Sequence, residues 1–502
     1  MRFSDARLGN AILITGAIIA GVFGWLALEI PKGTLSSSGD EMLTAERSRE
    51  MLLLVRSEVH FNFSPSFEKP PLQYWLTSFS LASLPNKTLA VRIWPWLYGA
   101  LTAITIAALA LVLQPTRPWL IPLAVAILTS LPLFATEASR GLLDTGLALF
   151  TTATILFAQL ARKNPVWWLG TAAACVLGSL QKIPIPFLIW LFILVWRLTA
   201  AEERDRLKSR WIWFSFLGAV IAMLIWPVAQ ILTFQVPFQH LFHHEVVDWL
   251  GPEHLGAQPH LEIPYRLIVT SACGFFILAA PFVILFWRKG EFGTAAREIS
   301  VACLALTVIE ILFNFRHVRY IEPIIPALCL LLAIVADRIL RYQGFARGAA
   351  IGVLAILLLA GFVQTKLQID FRRQKDFTDE KRVAEELGTL QRRDVPTVLV
   401  KAVNVGTDLH FASFYLFHGN LRFPVSRFTV DEIRQSPPPP PTIGVCIARD
   451  FPVVQAVTLR STFNLPAINS LFGKSPVQKL AELIYEESIS DRRKFRYRAC
   501  DC

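Results

Sequence analysis

Apolar runs of helix-spanning length, separated by short polar loops, dominate the first 365 residues. The first run, Ala11–Ile30, follows Arg2 and Arg7 and reads as an uncleaved signal-anchor helix. Pro71–Leu84 is apolar and aromatic but too short to span, which predicts a juxtamembrane or re-entrant helix. Spanning segments are then predicted at Ala90–Leu113, Trp119–Ala135, Leu142–Ala161, Val166–Leu180, Ile185–Leu198, Trp211–Thr233, Tyr265–Trp287, Ile299–Phe313, Pro323–Leu340 and Gly348–Val363. Beyond Val363 the pattern turns polar. It predicts a charged helix at Thr378–Arg393, strands at Thr397–Val403 and Thr442–Ala448, a short element at His410–Phe417 and an extended linker at Pro437–Pro441. The fold class that follows is an all-α polytopic membrane domain of about 11–13 transmembrane helices plus juxtamembrane helices, with a small C-terminal extramembrane α/β domain. The boundaries are 1–365 for the membrane domain, with an outer loop at 31–87, and 366–502 for the outer domain.

Composition strengthens this picture. Of the 502 residues, 54% are hydrophobic and only 17% charged, with a mean hydropathy of +0.47, whereas soluble domains are about a quarter charged. The net charge of +11 does not point to nucleic acid, because basic loops of a membrane protein report its topology. One set of short loops carries Arg117, Arg162, Lys163, Arg197, Arg204, Arg206, Lys208, Arg210, Arg288, Lys289, Arg297, Arg338, Arg341 and Arg347; the opposite set carries only Arg140, Lys182, Arg316 and Arg319. That bias puts the N-terminus in the cytoplasm, and Ser36–Trp75 and the C-terminal part outside. Cys175, Cys273, Cys303 and Cys329 sit in apolar runs as small hydrophobes, and the Cys446, Cys500 and Cys502 positions lack metal-type spacing.

Candidate chemistry gathers in the charged stretch after the first span. Ser36–Trp75 holds Asp40, Glu41, Glu46, Glu50, Glu58 and Glu68 with Arg47, Arg49, Arg56 and Lys69. Two patterns stand out: Gly39-Asp40-Glu41, where Gly39 permits an unusual backbone angle, and Phe67-Glu68-Lys69-Pro70-Pro71-Leu72-Gln73-Tyr74-Trp75. By the predicted topology these share a face with Arg140, Asp144, the histidine-bearing loop His240–His260, and Arg316, His317 and Arg319. The spacing of Arg140 and Asp144 also fits a plain helical ion pair. A carboxylate, a lysine beside a second carboxylate and a few arginines suit displacement of a lipid-linked phosphate at a sugar carbon. An aspartate can take the acceptor's proton, and fixed cations stabilise the leaving phosphate.

These motifs resemble the membrane glycosyltransferases of the GT-C class, in particular the bacterial lipid A aminoarabinose transferases and their protein O-mannosyltransferase relatives. Gly39-Asp40-Glu41 resembles the acidic motif of the first outer loop, which implies Asp40 as base with Glu41 beside it. The Phe67–Trp75 stretch is similar to the aminoarabinose-transferase pattern and implies Lys69 on the donor phosphate, supported by Glu68. Asp144 matches a functional aspartate at a helix start, which implies a second catalytic carboxylate, with Arg140 on the donor phosphate. Arg319-Tyr320 with Pro323 and Pro326 matches a basic-Tyr-Pro-Pro helix start, implying Arg319 on the phosphate and Tyr320 in support. The Phe242-His243-His244-Glu245 stretch with His260 echoes an outer loop of the family. It implies a supporting Glu245. Glu68 with His243, His244 or His260 could hold a divalent metal, the other reading being that the loop histidines are simply solvated; no cofactor is required. Leu43 and Thr44 replace an Arg-Tyr of the aminoarabinose transferases. The resemblance implies a multi-pass protein of the bacterial inner membrane, its donor a polyprenyl-phosphate sugar and its acceptor a lipid, glycan or protein. A lipid or glycan transporter or flippase is the alternative; transporters place charged groups near the bilayer midplane instead of one face.

Overall fold

The computed structural model describes residues 5–32, 35, 39–61, 63–234, 293–312, 318–341 and 345–374, and four strands between 397 and 500. By contact the chain divides into two compact units. One holds Met1–Gly33, Leu54–Val59 and Ser66–Gln374; the other holds Thr34–Leu53, His60–Pro65 and Lys375–Cys502.

The first unit is helical. Its helices are α1 (Asp5–Glu29), continuing after the α2 segment with α3 (Leu72–Ser83), α4 (Lys87–Leu113), α5 (Leu120–Ser130), α6 (Pro132–Glu137), α7 (Asp144–Leu160), α8 (Trp168–Gln181), α9 (Ile185–Thr199) and α10 (Arg210–Phe234). After the stretch outside the described residues come α11 (Thr294–Leu312), α12 (Ile325–Ile339) and α13 (Phe345–Gln374). Helix α2 (Gly39–Leu54) belongs mostly to the second unit.

Among the described residues, five helices are long and apolar enough to cross a membrane: Ala6–Glu29, Lys87–Leu113, Arg210–Thr233, Tyr320–Ile339 and Arg347–Asp370. Shorter apolar helices at Leu120–Ser130, Asp144–Leu160 and Ile185–Thr199 pack with them. Among the described residues the predicted spans thus appear as helices of unequal length. Trp119–Ala135 is broken at Leu131, which is extended (ψ 120°) because Pro132 follows it and opens α6. Pro323–Leu340 begins instead as a 3-10 turn, Val318–Ile324, before α12. Pro71–Leu84 is the twelve-residue α3, as its length required. The Tyr265–Trp287 segment lies outside the described residues.

Helix α7 is central. It packs against α4, α8, α9 and the Val318–Ile324 turn, and fourteen of its seventeen residues are buried. A helix apolar on all sides belongs in the middle of a bundle. Its threonines do not break that rule, because Thr151 and Thr152 donate to the carbonyls of Leu147 and Ala148, one turn back. The sharp α8–α9 connection depends on Gly178: a Cβ there would lie 2.4 Å from Pro186 Cγ.

At the far end of α7 a buried ionic cluster locks the bundle. Arg197 reaches Glu298 Oε1 at 2.9 Å and the Ala158 carbonyl at 2.9 Å, stacked over Trp168. Arg162 joins Glu298 and Glu203, and Gln159 donates to Glu298 Oε1. Helices α7, α9 and α11 are thereby tied at one level.

In the second unit, β1 (His60–Phe61) and β2 (Ser64–Pro65) form a small antiparallel hairpin. Strands β3 (Thr397–Lys401), β4 (Ser426–Thr429), β5 (Ile443–Ile447) and β6 (Tyr497–Cys500) form a mixed sheet ordered β4-β3-β5-β6, with β6 antiparallel at one edge. β3 and β5 fall on two runs predicted as strands. The predicted elements at Thr378–Arg393 and His410–Phe417 lie outside the described residues.

Candidate functional site at the start of the central helix

The α7 N-terminus gathers a second group of buried ionisable side chains in the helical unit. The chain turns through Glu137–Leu142, then enters α7 at Asp144, in the first turn, where unpaired backbone N–H groups favour a carboxylate. Lys182, just after α8, places its ammonium 2.5 Å from Asp144 Oδ1, with both side chains nearly buried. The same ammonium lies 4.7 Å from the centre of the Tyr320 ring. Thr145 donates at 3.0 Å to Glu322 Oε1, and Glu322 is fully buried. Its Oε2 has no hydrogen-bond partner among the described residues. Glu322 also stands within electrostatic reach of Glu137, Asp144 and Lys182. Glu137 in turn holds Arg140 at 2.9 Å.

This sets aside the plain Arg140–Asp144 helical pair that the spacing also allowed. Arg140 lies in the turn before α7, not on it, and bonds backward to Glu137. The partner of Asp144 comes from α8, 38 residues further on. Lys182, Glu137, Glu322 and Thr145 were not singled out as site residues from the sequence. A signal for Lys182 existed, since it is one of the four basic residues on the sparsely basic side.

Glu68 is exposed and Lys69 half-buried, in the segment that leads into α3. Tyr320 meets Lys182 as described. Arg319 falls within the 3-10 turn, its side chain outside the described residues. Glu245, His243, His244, His260, Arg316 and His317 also lie outside the described residues. Of the suggested metal set only Glu68 is described. Among the described residues no three His, Cys, Asp or Glu side chains converge on a metal position.

In the second unit, Asp40 and Glu41 form the first turn of α2. Gly39 is helical there, so the unusual backbone angle expected of it is replaced by an ordinary helix start. Asp40 is half-buried and its carbonyl accepts from Thr44 Oγ1, while Glu41 is fully buried. Further along α2, Glu46 is gripped by Arg49 at 2.6 and 2.8 Å. Glu50 accepts from Phe63 N–H at 2.7 Å, pinning the β1–β2 turn, where Phe63 adopts a left-handed backbone (φ 60°). Burial, then the neighbouring Glu46, pushes the Glu50 carboxyl up to about 8. Burial also raises Glu46, against the opposing pull of Arg49.

Known proteins of related sequence and shape bear on what such a site does. A dolichyl-phosphate-mannose-protein mannosyltransferase family matches residues 68–229, which include α3, α7 and Lys182. The undecaprenyl phosphate-α-4-amino-4-deoxy-L-arabinose arabinosyl transferase of Pectobacterium atrosepticum is 26% identical over 377 residues, 70% of this chain. The match spans 66% of that relative's length, a little under two thirds. ArnT from Cupriavidus metallidurans bound to undecaprenyl phosphate superposes with a TM-score of 0.62 at 16% identity, covering 87% of this chain and 93% of that one. The chain has the GT-C membrane glycosyltransferase fold. An Archaeoglobus fulgidus oligosaccharyltransferase in complex with Zn and sulfate shares that fold more distantly, with a TM-score of 0.53 at 10% identity over 81% of this chain and 61% of its own. Within the GT-C fold, the Asp144–Lys182–Glu322 cluster sits where the central helix begins.

Proposed function

We propose that the protein is an integral-membrane glycosyltransferase that moves a sugar from a polyprenyl-phosphate donor to a lipid, glycan or protein acceptor at the outer face of the membrane. The observation that carries this reading is the buried Asp144–Lys182 pair with Glu322 beside it, built at the start of the central helix of a GT-C fold. The undecaprenyl phosphate in the ArnT structure and the donor named for the Pectobacterium relative support a lipid-phosphate donor. The amino-sugar transferases among the relatives also fit the excess of carboxylates. Glu137, Asp144 and Glu322 accept hydrogen bonds from sugar hydroxyls or an amino substituent.

In this reading the acceptor oxygen attacks the anomeric carbon as the bond from that carbon to the phosphate oxygen breaks. Asp40 takes the acceptor's proton, and the phosphate departs with the bonding electron pair. Lys69 meets the growing phosphate charge, with Arg319 in the same role. Arg140 is already engaged by Glu137 and contributes through the site's electrostatics. Fixed cations in a partly dehydrated site stabilise that charge more than water does. Tyr320 and Lys182 hold Asp144 in place, so Asp144 orients substrate and is not the base.

The test is a transfer assay with polyprenyl-phosphate sugar and lipid acceptors on folded, membrane-inserted variants. Asp40→Asn is expected to lower turnover by about 10²–10⁴-fold, the usual cost of losing a general base, and Glu41→Gln to do much less. If Asp40→Asn keeps near-wild-type turnover, Asp40 is not the base. If wild-type protein transfers nothing from any polyprenyl-phosphate sugar, the glycosyl-transfer reading falls.

A further inference from the structure

Next to the ionic cluster lies a buried chain of neutral polar groups with no part in the proposed chemistry. Gln181, the last residue of α8, donates from Nε2 to Gln73 Oε1 at 3.1 Å and to the Leu143 carbonyl at 3.0 Å. Gln73 donates onward to Thr77 Oγ1 at 3.2 Å. Tyr98 of α4 directs its hydroxyl at Gln181 Oε1, at 3.5 Å. Gln73, Thr77 and Gln181 are fully buried and Tyr98 nearly so. Buried amides are costly to leave unsatisfied, and an apolar pair would fill the same space at less risk. This network instead joins three specific places in the chain.

Gln73 is in the first turn of α3, four residues after Lys69. Leu143 precedes Asp144, and Gln181 precedes Lys182. The two amides therefore link the segment carrying Glu68 and Lys69 to both members of the Asp144–Lys182 pair. The fit is close. At Gly146, one turn into α7, a Cβ would lie 2.5 Å from Gln181 Nε2 and 2.8 Å from the Tyr98 ring. A side chain at that position would force the Gln181 amide or the Tyr98 ring to shift.

We propose that Gln181, with Gln73 as its partner, is a positioning residue for the transfer: the amide bridge sets the Lys69 segment against the Asp144–Lys182 pair. The proposal rests on the glycosyl-transfer reading. A displacement of about 1 Å between reacting groups can cost on the order of 10²-fold in rate. Gln181→Leu is therefore expected to lower kcat by about tenfold to a hundredfold. Gly146→Ala, which crowds the amide without removing it, is expected to act in the same direction.

A purely structural role predicts something different, and the double variant separates the two. Replacing both amides, Gln73→Leu with Gln181→Leu, removes both partners of the Gln181–Gln73 bond, so the double variant should lose less stability than the two singles added together, while Tyr98 and the Leu143 carbonyl still lose the Gln181 amide. The geometry is not restored. The experiment measures detergent unfolding midpoints, undecaprenyl-phosphate binding by calorimetry and transfer kinetics on wild type, the two singles, the double variant, Gly146→Ala and Asp40→Asn. The expected result is a double variant whose midpoint loss is smaller than the sum of the two single losses, with kcat still at least tenfold low and lipid-phosphate affinity weakened. If kcat recovers together with the midpoint, or if Gln181→Leu turns over and binds like wild type while Asp40→Asn is dead, the positioning role is overturned and the glycosyl-transfer reading stands. If wild type neither binds the lipid phosphate nor transfers sugar, the reading is overturned and the positioning role with it.

Discussion

Replacing Lys182 by Met tests whether the start of α7 is an electrostatic assembly or an accidental contact. The two charges are 2.5 Å apart, and the side chains of Lys182 and Asp144 are only 9% and 5% exposed. Removing the ammonium leaves the Asp144 carboxylate buried and facing Glu322, with Glu137 within reach. Breaking one side of a buried pair in this way costs about 3–5 kcal/mol. Asp144→Asn is expected to cost less, because the stranded ammonium still has the Tyr320 ring at 4.7 Å and Glu322 within electrostatic reach. The double variant Asp144→Asn with Lys182→Met removes both charges and should recover at least half of the Lys182→Met loss. Unfolding of detergent-solubilised protein at pH 7, followed by tryptophan fluorescence, measures all four proteins. Lys182→Met should lower the midpoint by about 5 °C. A Lys182→Met midpoint within about 1 °C of wild type, or a double variant that simply adds the two single losses, would refute the pairing argument. The double variant should still transfer no sugar; recovered transfer would reduce the pair to a structural contact.

Two further outcomes are expected. Lys69→Ala should weaken undecaprenyl-phosphate binding strongly and Lys69→Arg should restore it only in part, since a planar fork does not replace a compact ammonium; calorimetry showing wild-type affinity for Lys69→Ala would assign Lys69 to structure. Glu50 carries its proton in the folded protein up to about pH 8, whereas an unfolded glutamate loses it near 4.5. The native state thus binds more protons between those values, so the stability contributed by Glu50 is full below 4.5 and is lost as pH rises toward 8. Unfolding midpoints of wild type should fall across that window and those of Glu50→Gln should fall less; parallel profiles would sink the argument.

The apolar runs were legible because length and hydrophobicity alone mark a helix that must bury its backbone hydrogen bonds in lipid or protein. The break at Leu131–Pro132 was not taken into account, although Pro132 marks it, because the apolar run passes through without interruption. Strands β3 and β5 were readable from their β-branched runs; their order in the sheet was not, because it depends on contacts between distant segments. At the site, Asp144 was readable from its motif, but its partner was not. Antiparallel packing of α7 and α8 returns the chain to the same end after 38 residues, and no local pattern encodes that distance. Glu322 could have been found, since a carboxylate beside an apolar spanning run is a functional candidate by default. Attention to Arg319-Tyr320 passed over it. Gly39 was read as a conformational exception, but nothing in its surroundings prevents a helix, and α2 begins there.

The two ionic clusters of the helical unit differ in sign, and that difference bears on how the site meets its substrate. At the start of α7 the carboxylates of Glu137, Asp144 and Glu322 face the cations of Arg140 and Lys182. At its far end Glu298 and Glu203 face Arg162, Arg197 and Arg206. With every group ionised, the first cluster carries one surplus negative charge and the second one surplus positive charge. In the second, both oxygens of Glu298 are gripped by arginines, and a ligand could reach them only by breaking those bonds. The first has an oxygen on Glu322 with no protein partner among the described residues, and both its cations are already committed to carboxylates. Such a cluster can accept hydrogen bonds from a polyhydroxylated or amino-bearing sugar, while its two cations already face carboxylates. In the proposed reading the phosphate's counter-charge comes instead from Lys69, in the segment entering α3. That division, with sugar toward α7 and phosphate toward the segment entering α3, is what makes the Gln73–Gln181 bridge between the two consequential.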